Sequence, residues 1–351
     1  MSIVPPFCPH ADCIYHRDPT RRFCVRWGSY QPQCRSTPVQ RFRCLGCRRT
    51  FSSQTFRHDY YDRRPHDNLG LFQLLTSGVG YRQAGRLLHL GVYAAQRKAR
   101  KIARTCQHLH ANLSTRMPGP RTYLLDEEET FEQASIRTLT MPVLIEAESW
   151  FVVATAVGAI RRMAQPGTAR RRWQERDEQR HGRRPDTSRQ CVERVLRELD
   201  QRLQGGPLVL QTDAKASYAT LARQVFGRRV QHERTSSKLP RTTANPLFAI
   251  NTTLAMSRDN CGRLRRRSWL VSKKGECLEA HMALFMVYRN YVRRRFNRDP
   301  EGVTPAVTLK LLPRNLDGSE VLAWRQHWGT RSVHPLNKDG SPLGPRYAPA
   351  A

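Results

Sequence analysis

Acidic residues are scarce in this chain. Its 351 residues carry 29 Asp+Glu against 60 Lys+Arg, a formal net charge of +31. Such a balance favours a polyanionic partner. Simple solubility and a membrane-surface role are the plain alternatives. Arginine outnumbers lysine and is spread over the whole length, which suits phosphate contacts better than one amphipathic anchor helix. The partner expected is nucleic acid. Long apolar runs are also missing: the longest stretch, residues 150–160, reads as a strand and is too short to span a bilayer. The first eight residues lack a basic segment followed by an apolar one, so no signal peptide is expected. No internal repeat is present. Cysteine is plentiful instead. Six of the ten cysteines precede residue 48, which points to reduced thiols and metal rather than disulfides, and so to the cytosol.

Composition and apolar periodicity divide the chain. Residues 1–60 are rich in cysteine and turns. Residues 66–110 read as helices, with apolar residues at helical spacing over 69–75, 84–90 and 94–102. A linker at 117–120 follows, then three strand candidates at 123–131, 139–146 and 150–159. Residues 161–190 are polar and arginine-heavy, and read as a basic insertion. A helix over 191–203, a strand over 208–212, a helix over 219–226 and a short strand around Val230 come next. Helices are expected from Pro246 to about Trp269 and over 278–295. The remainder, 297–351, is a Pro/Gly-rich tail around one short helix at 319–327. The order from 121 to 296 matches an α/β, ribonuclease-H-like mixed-sheet domain, in which the first and fourth strands lie side by side; many other mixed α/β folds share this order.

Cys8-x4-Cys13 and Cys44-x2-Cys47 are two thiolate pairs separated by a loop. Four thiolates suit tetrahedral Zn²⁺, and Phe42-Arg-Cys-Leu-Gly-Cys47 has the form of a metal knuckle, with Gly46 allowing backbone N–H groups to turn toward sulfur. A zinc ribbon is therefore expected over 1–60. Cys24 and Cys34 read as ordinary thiols. Cys24 or His10 stays open as an alternative ligand because the first pair is widely spaced. Residues 77–88, a turn at His89-Leu-Gly-Val92, and 93–102 follow helix-turn-helix grammar. The second helix would offer Gln96, Arg97, Lys98, Arg100 and Lys101 to bases and phosphates. The plain alternative is a helical hairpin with a solvated basic face.

Asp126 ends the apolar run 122–126 and Asp213 ends the run 208–213. Carboxylates at strand ends are rigid oxygen donors for the divalent ions that drive phosphoryl transfer. Glu128 should share a strand face with Asp126, with Glu127 and Glu129 on the other. Asn245 is placed to cap a helix that Pro246 opens. Asn251 and Arg258, seven residues apart, would then share one helix face. Spacing alone makes Asn251 a residue that caps local structure or faces solvent.

Taken together, these motifs resemble insertion-sequence transposases that open with a zinc ribbon and carry a DDE-type catalytic core. The matching stretches are 40–52, 125–132, 245–251 running on to Trp269, and 278–281 through Tyr288-Arg-Asn-Tyr291. The resemblance implies Asp126, Asp213 and Asn251 as the metal-binding triad. The usual third glutamate is replaced by Asn251, as in some related insertion-sequence transposases, and Arg258 is the basic residue that follows. Asp259, Glu276 and Glu279 are the substitutes if a glutamate-like ligand is required. It also implies Mg²⁺ (or Mn²⁺) catalysis and a structural Zn²⁺. The substrate would be double-stranded DNA at terminal inverted repeats and at a target, handled by a homo-oligomer assembled on DNA. No membrane partner is implied. Localisation would be cytoplasmic, on the nucleoid if bacterial. The rival of a different class is a non-catalytic DNA-binding regulator derived from a transposase.

Overall fold

The computed structural model describes residues 5, 7–115, 117, 118, 121–236, 238–240, 242–265 and 269–324. Two compact units divide them. The first holds the residues up to Leu74, Tyr81–Asn112 and those from Asp317; the second holds Leu75–Gly80 and Leu113–Leu316.

In the first unit a one-turn helix, α1 (Ile14–Arg17), precedes a three-stranded antiparallel sheet of β1 (Cys24–Tyr30), β2 (Val39–Cys44) and β3 (Thr50–Ser52). So few residues can bury little apolar surface. The core is a set of five phenylalanines, Phe7, Phe23, Phe42, Phe51 and Phe56, gathered around Cys8, Cys13 and Cys44. Three helices follow: α2 (Asp67–Thr76), α3 (Tyr81–Leu87) and α4 (Val92–Leu113). In α4 the buried residues Ala95, Ala99, Ile102, Cys106 and Leu109 repeat at three and four positions, the stripe of a helix with one face inward. The turn before it is tight. His89 takes the left-handed φ of 50°, and a Cβ on Gly85 would lie 2.7 Å from the Leu90 carbonyl.

The second unit is built on a six-stranded mixed sheet. Its strands are β4 (Thr122–Glu132), β5 (Ala134–Glu146), β6 (Val152–Thr155), β7 (Gly158–Ala159), β8 (Leu208–Asp213) and β9 (Val230–Thr235). The order is β6-β5-β4-β8-β9, with β7 paired to β5. β4, β5 and β6 run antiparallel, whereas β8 and β9 run parallel to β4. The first and fourth strands of the expected set are thus neighbours, as the ribonuclease-H-like order requires. β5 is buried from Thr138 to Glu146, which needs a layer on each face. One layer comprises α8 (Phe248–Asn260) and α9 (Gly275–Val287), packed on Leu124, Met141, Val143 and Ile145. On the other face lie α6 (Ser188–Leu203), against β5 and β6, and α7 (Ala216–Phe226). Past α9, one π-helical turn (Tyr288–Val292) aims the Asn290 amide at β6, where it bonds both the N–H and the C=O of Val152.

Several expectations are corrected. The strand anticipated over 150–159 is two short strands, β6 and β7. Gly158 sits where a Cβ would lie 2.3 Å from the Cys191 sulfur of α6. The basic stretch 161–190 contains a helix, α5 (Ala169–His181), capped by the Thr168 hydroxyl, which accepts from the Arg171 N–H. The long helix from Pro246 starts later and ends sooner. Asn245 accepts from the Leu247 N–H in a turn ahead of α8, and so does not cap it. At the far end Cys261 is extended, and Gly262 passes so near the Gly78 carbonyl that a Cβ would lie 2.5 Å away. Near the tail a helix spans Gly318–Ala323 and stops at Trp324; residues 325–327 of the one anticipated, and the remainder to 351, lie outside the described residues.

Candidate functional site

The register that joins β4 to β8 sets the site. Leu125 pairs with Thr212, so Asp126 and Asp213 come one step later on adjacent parallel strands, with both side chains on the same face. That face is the one α8 covers. Asn251 and Arg258, on one side of α8, line a cleft of about 650 Å³ together with Asp126, Glu127 and Glu128; Asp213 is not among its lining residues. Phe248, Leu254 and Ala255 supply its apolar wall. Asp126, Asp213 and Asn251 are each half-buried. The Asp126 carboxylate accepts from the Glu127 N–H at 2.7 Å, and Asp213 accepts from the Lys215 N–H at 3.0 Å. Asp259, Glu276 and Glu279 do not line the cleft, and Glu279 pairs with Arg194 at 2.6 Å.

Glu128 does share the face of Asp126, but it is committed. Its side chain is fully buried, accepts from the Ser257 hydroxyl at 2.9 Å, and pairs with an Arg258 Nη1 at 3.1 Å. An unpaired buried carboxylate would be costly, so this pairing holds α8 to β4. Arg258 remains 41% exposed and keeps further donors for the cleft.

Residues on the other face of β4 were not singled out by sequence. The Glu127 carboxylate accepts from Tyr218 Oη at 3.0 Å, from the Thr140 hydroxyl at 3.1 Å, and from Lys215 Nζ. Lys215 lies two residues past Asp213, so this group ties the two aspartate-bearing strands together from behind. Burial, followed by Glu127, Asp126 and Asp213, pushes the Tyr218 hydroxyl well above its ordinary pKa. Its proton therefore stays available to Glu127. A lysine two places after a strand-ending aspartate was the available signal, and it is weak.

The cysteines form a second, closed site. The sulfurs of Cys8, Cys13, Cys44 and Cys47 lie within 4.8 Å of one another; among the described residues no other group of three or more His, Cys, Asp or Glu donors is so arranged. Cys8 and Cys47 are 3.7 Å apart, and Cys13 and Cys44 are 3.6 Å apart. A tetrahedral ion with metal–sulfur bonds of about 2.3 Å spaces its sulfurs about 3.8 Å apart, so the donor set fits. Burial raises the Cys44 thiol pKa, and N–H groups of Cys47 and Gly46 directed at its sulfur oppose this. Gly46 has a steric reason: a Cβ there would meet the Tyr15 ring at 2.9 Å. Arg48 takes the left-handed φ of 61° in that turn. Cys24 stands opposite Cys44 across the strands and, like His10, is outside the four-sulfur group.

On α4 the expected DNA-facing set divides. Arg97 is exposed, and Gln96 and Arg100 are half-buried. Lys98 and Lys101 are not presented to solvent, contrary to expectation. Both are buried and pair with Asp62 at 3.1 and 3.0 Å, and Lys101 also donates to the Tyr60 carbonyl at 2.6 Å. The apolar stripe of α4 carries them inward, and Asp62 compensates their charge. Tyr93, 82% exposed, and Arg97 occupy the outward face.

No family model and no curated protein matches the chain. Solved structures do. The catalytic core domain of BIV integrase is 14% identical and matches over 55% of this chain and 95% of its own, with a TM-score of 0.29. The Mos1 transposase paired-end complex with left transposon end is 12% identical over 64% of this chain and 77% of that one, TM-score 0.24. A pre-cleavage Mos1 transpososome is 10% identical over 59% and 72%, TM-score 0.19. Likeness at these TM-scores leaves the fold to be argued from its own sheet order and the site from its own residues. Among the described residues no helix is long and apolar enough to cross a membrane.

Proposed function

We propose that this chain is a DDE-type transposase, which cuts DNA at element ends and transfers the strand. The observation that carries the reading is the β4–β8 register. Continued one step, it would bring Asp126 beside Asp213, and Asp126 lines the cleft with Asn251 and Arg258 of α8. Two carboxylates and an amide oxygen are hard donors suited to Mg²⁺ or Mn²⁺. Such ions activate water, or a 3′-hydroxyl, and stabilise charge on the phosphate under attack. Asp126, Asp213 and Asn251 would hold them, and Arg258 would bind a non-bridging phosphate oxygen with the donors that Glu128 leaves over. The four-cysteine site would carry structural Zn²⁺. The zinc ribbon and the α3–α4 pair would hold the terminal repeats, with Arg97 as the most accessible of the basic residues. The surplus of 60 Lys+Arg over 29 Asp+Glu supports a DNA partner.

The test is nicking of duplexes that carry the element ends, in Mg²⁺. Asp126→Ala and Asp213→Ala should each abolish it; nicking that persists in both sinks the assignment. Asn251→Glu should retain or raise activity and Asn251→Ala should lower it. If Asn251→Ala nicks normally, the third ligand lies elsewhere. The neutral amide at 251 favours one rival, a DNA-binding regulator without catalysis. That rival predicts salt-sensitive binding indifferent to Asp126→Ala, and strand transfer by the purified protein excludes it.

A further inference from the structure

The segment 161–184 carries nine arginines and three acids, an excess of 9 − 3 = +6. Its acids are all engaged. Asp177 takes a bidentate pair from Arg137 at 2.9 and 2.6 Å, Glu178 takes one from Arg161 at 2.8 and 3.0 Å, and Glu175 pairs with Arg171. Gln174, the one buried side chain of α5, accepts from the Ala164 N–H and donates to the Arg162 carbonyl. Arg162 and Arg184, on either side of the helix, reach Glu129 and Glu132 of β4. Thus α5 docks through Gln174, Asp177 and Glu178, one face of a helix, and it docks by charge rather than by apolar burial.

The opposite face is left cationic. Arg172, Arg176 and Arg180 repeat every four residues and are exposed, with Trp173, 48% exposed, alongside. Arg176 and Arg180 have no ion pair or side-chain hydrogen bond with the described residues; Arg172 donates only to the Gly167 carbonyl. Like charges at this spacing disfavour a helix, so a solvated face gains nothing from the arrangement. A polyanion with regularly spaced charge would. The docking acids also locate the helix: Glu132 is six residues beyond Asp126 on the same strand, about 20 Å at strand rise. That is the length of about six base pairs at about 3.4 Å each.

We propose that the Arg172–Arg176–Arg180 face of α5 is a second DNA-binding surface, which grips the phosphate backbone of the duplex running out of the cleft. It depends on the DNA reading above but not on the chemistry of the cleft. The test is the salt dependence of duplex binding by the full chain, measured by fluorescence anisotropy. Replacing all three arginines by alanine should lower the slope of log Kobs against log[salt] by about 2.7, at about 0.9 for each phosphate no longer neutralised, and the lysine triple should restore it. An unchanged slope in the alanine triple overturns the proposal, as does a slope that lysine fails to restore. Binding of anionic phospholipid vesicles, abolished in the triple while the DNA slope stays put, overturns it in favour of a membrane surface. If the alanine triple does not fold, the glutamine triple gives the same reading. Failure of the wild-type chain to nick DNA would sink the transposase reading and leave this slope untouched.

Discussion

The four-cysteine group and the acidic cleft, proposed above as metal sites, are built in opposite ways. The cysteine site is closed: four like donors lie within 4.8 Å of one another, three of them buried. The cleft is open: Asp126 and Asn251 are half-buried, one of them a neutral amide, and a further carboxylate, Glu128, is held by Arg258 and Ser257. A closed, fully supplied set suits an ion that holds a fold, and an open set leaves room for water and substrate. The local sequence supplies the first almost whole. Pairing of distant strands supplies the second.

The largest effect should separate the two at once. On the zinc reading proposed above, the purified chain should carry one zinc, and Cys44→Ser or a strong chelator should remove it and unfold the small sheet of the first unit, since such sites contribute roughly 10–16 kcal/mol in zinc-finger peptides. Metal analysis and circular dichroism would check this. Zinc retained by the variant would break the comparison on its closed side. On the open side, Asp126→Ala and Asp213→Ala should lower metal-dependent nicking by about a thousandfold or more, since metal-held charge stabilisation is worth several kcal/mol. Their melting curves should barely move, because both carboxylates are half-buried.

Lys101→Met is expected to act on stability alone. It leaves buried Asp62 short of a cation, at about 3 kcal/mol, with no change in the salt slope of DNA binding. Arg97→Ala should do the reverse and lower that slope by about 0.9. A slope that falls in Lys101→Met at unchanged stability would return Lys101 to the DNA-binding face.

Acid lability touches both units. Burial lowers the pKa of His58 in the first unit, and of His281 in the second, to about 4. Their unfolded forms take up a proton near pH 6.5, before the folded forms do. Stability is therefore full above that pH and falls as pH drops toward 4. The loss is about 3 kcal/mol for each histidine, from about 1.36 kcal/mol per pKa unit. Denaturant titrations of His281→Gln should show a shallower decline than wild type over that window. An identical decline would mean that His281 is protonated as readily in the fold.

Much of this was legible because it rests on local rules. The Cys-x2-Cys knuckle, the alternation in β4 and the period of α4 each concern neighbours within a few residues. The Asn251–Arg258 face followed from helix geometry, although Asn251 was singled out only by resemblance. What was missed depends on distant partners. Lys98 and Lys101 look like DNA contacts until Asp62, more than 35 residues away, draws them inward. The helix α5 was hidden because it has almost no apolar residues to reveal a period, and its inward face is ionic. The end of α8 is set by the close passage of Gly262 and Gly78, which helical propensity near residue 260 does not contain.

By itself, then, the sequence determined the basic balance, the thiolate pairs, and the strands that end in aspartate, because charge, spacing and periodicity are properties of the chain. Only the tertiary structure decided that Asp126 stands beside Asp213, that Glu128 is occupied by Arg258, and that Lys98 and Lys101 turn inward. Each of those depends on which distant residue meets a buried charge, and burial makes a missing partner too costly to leave unmet.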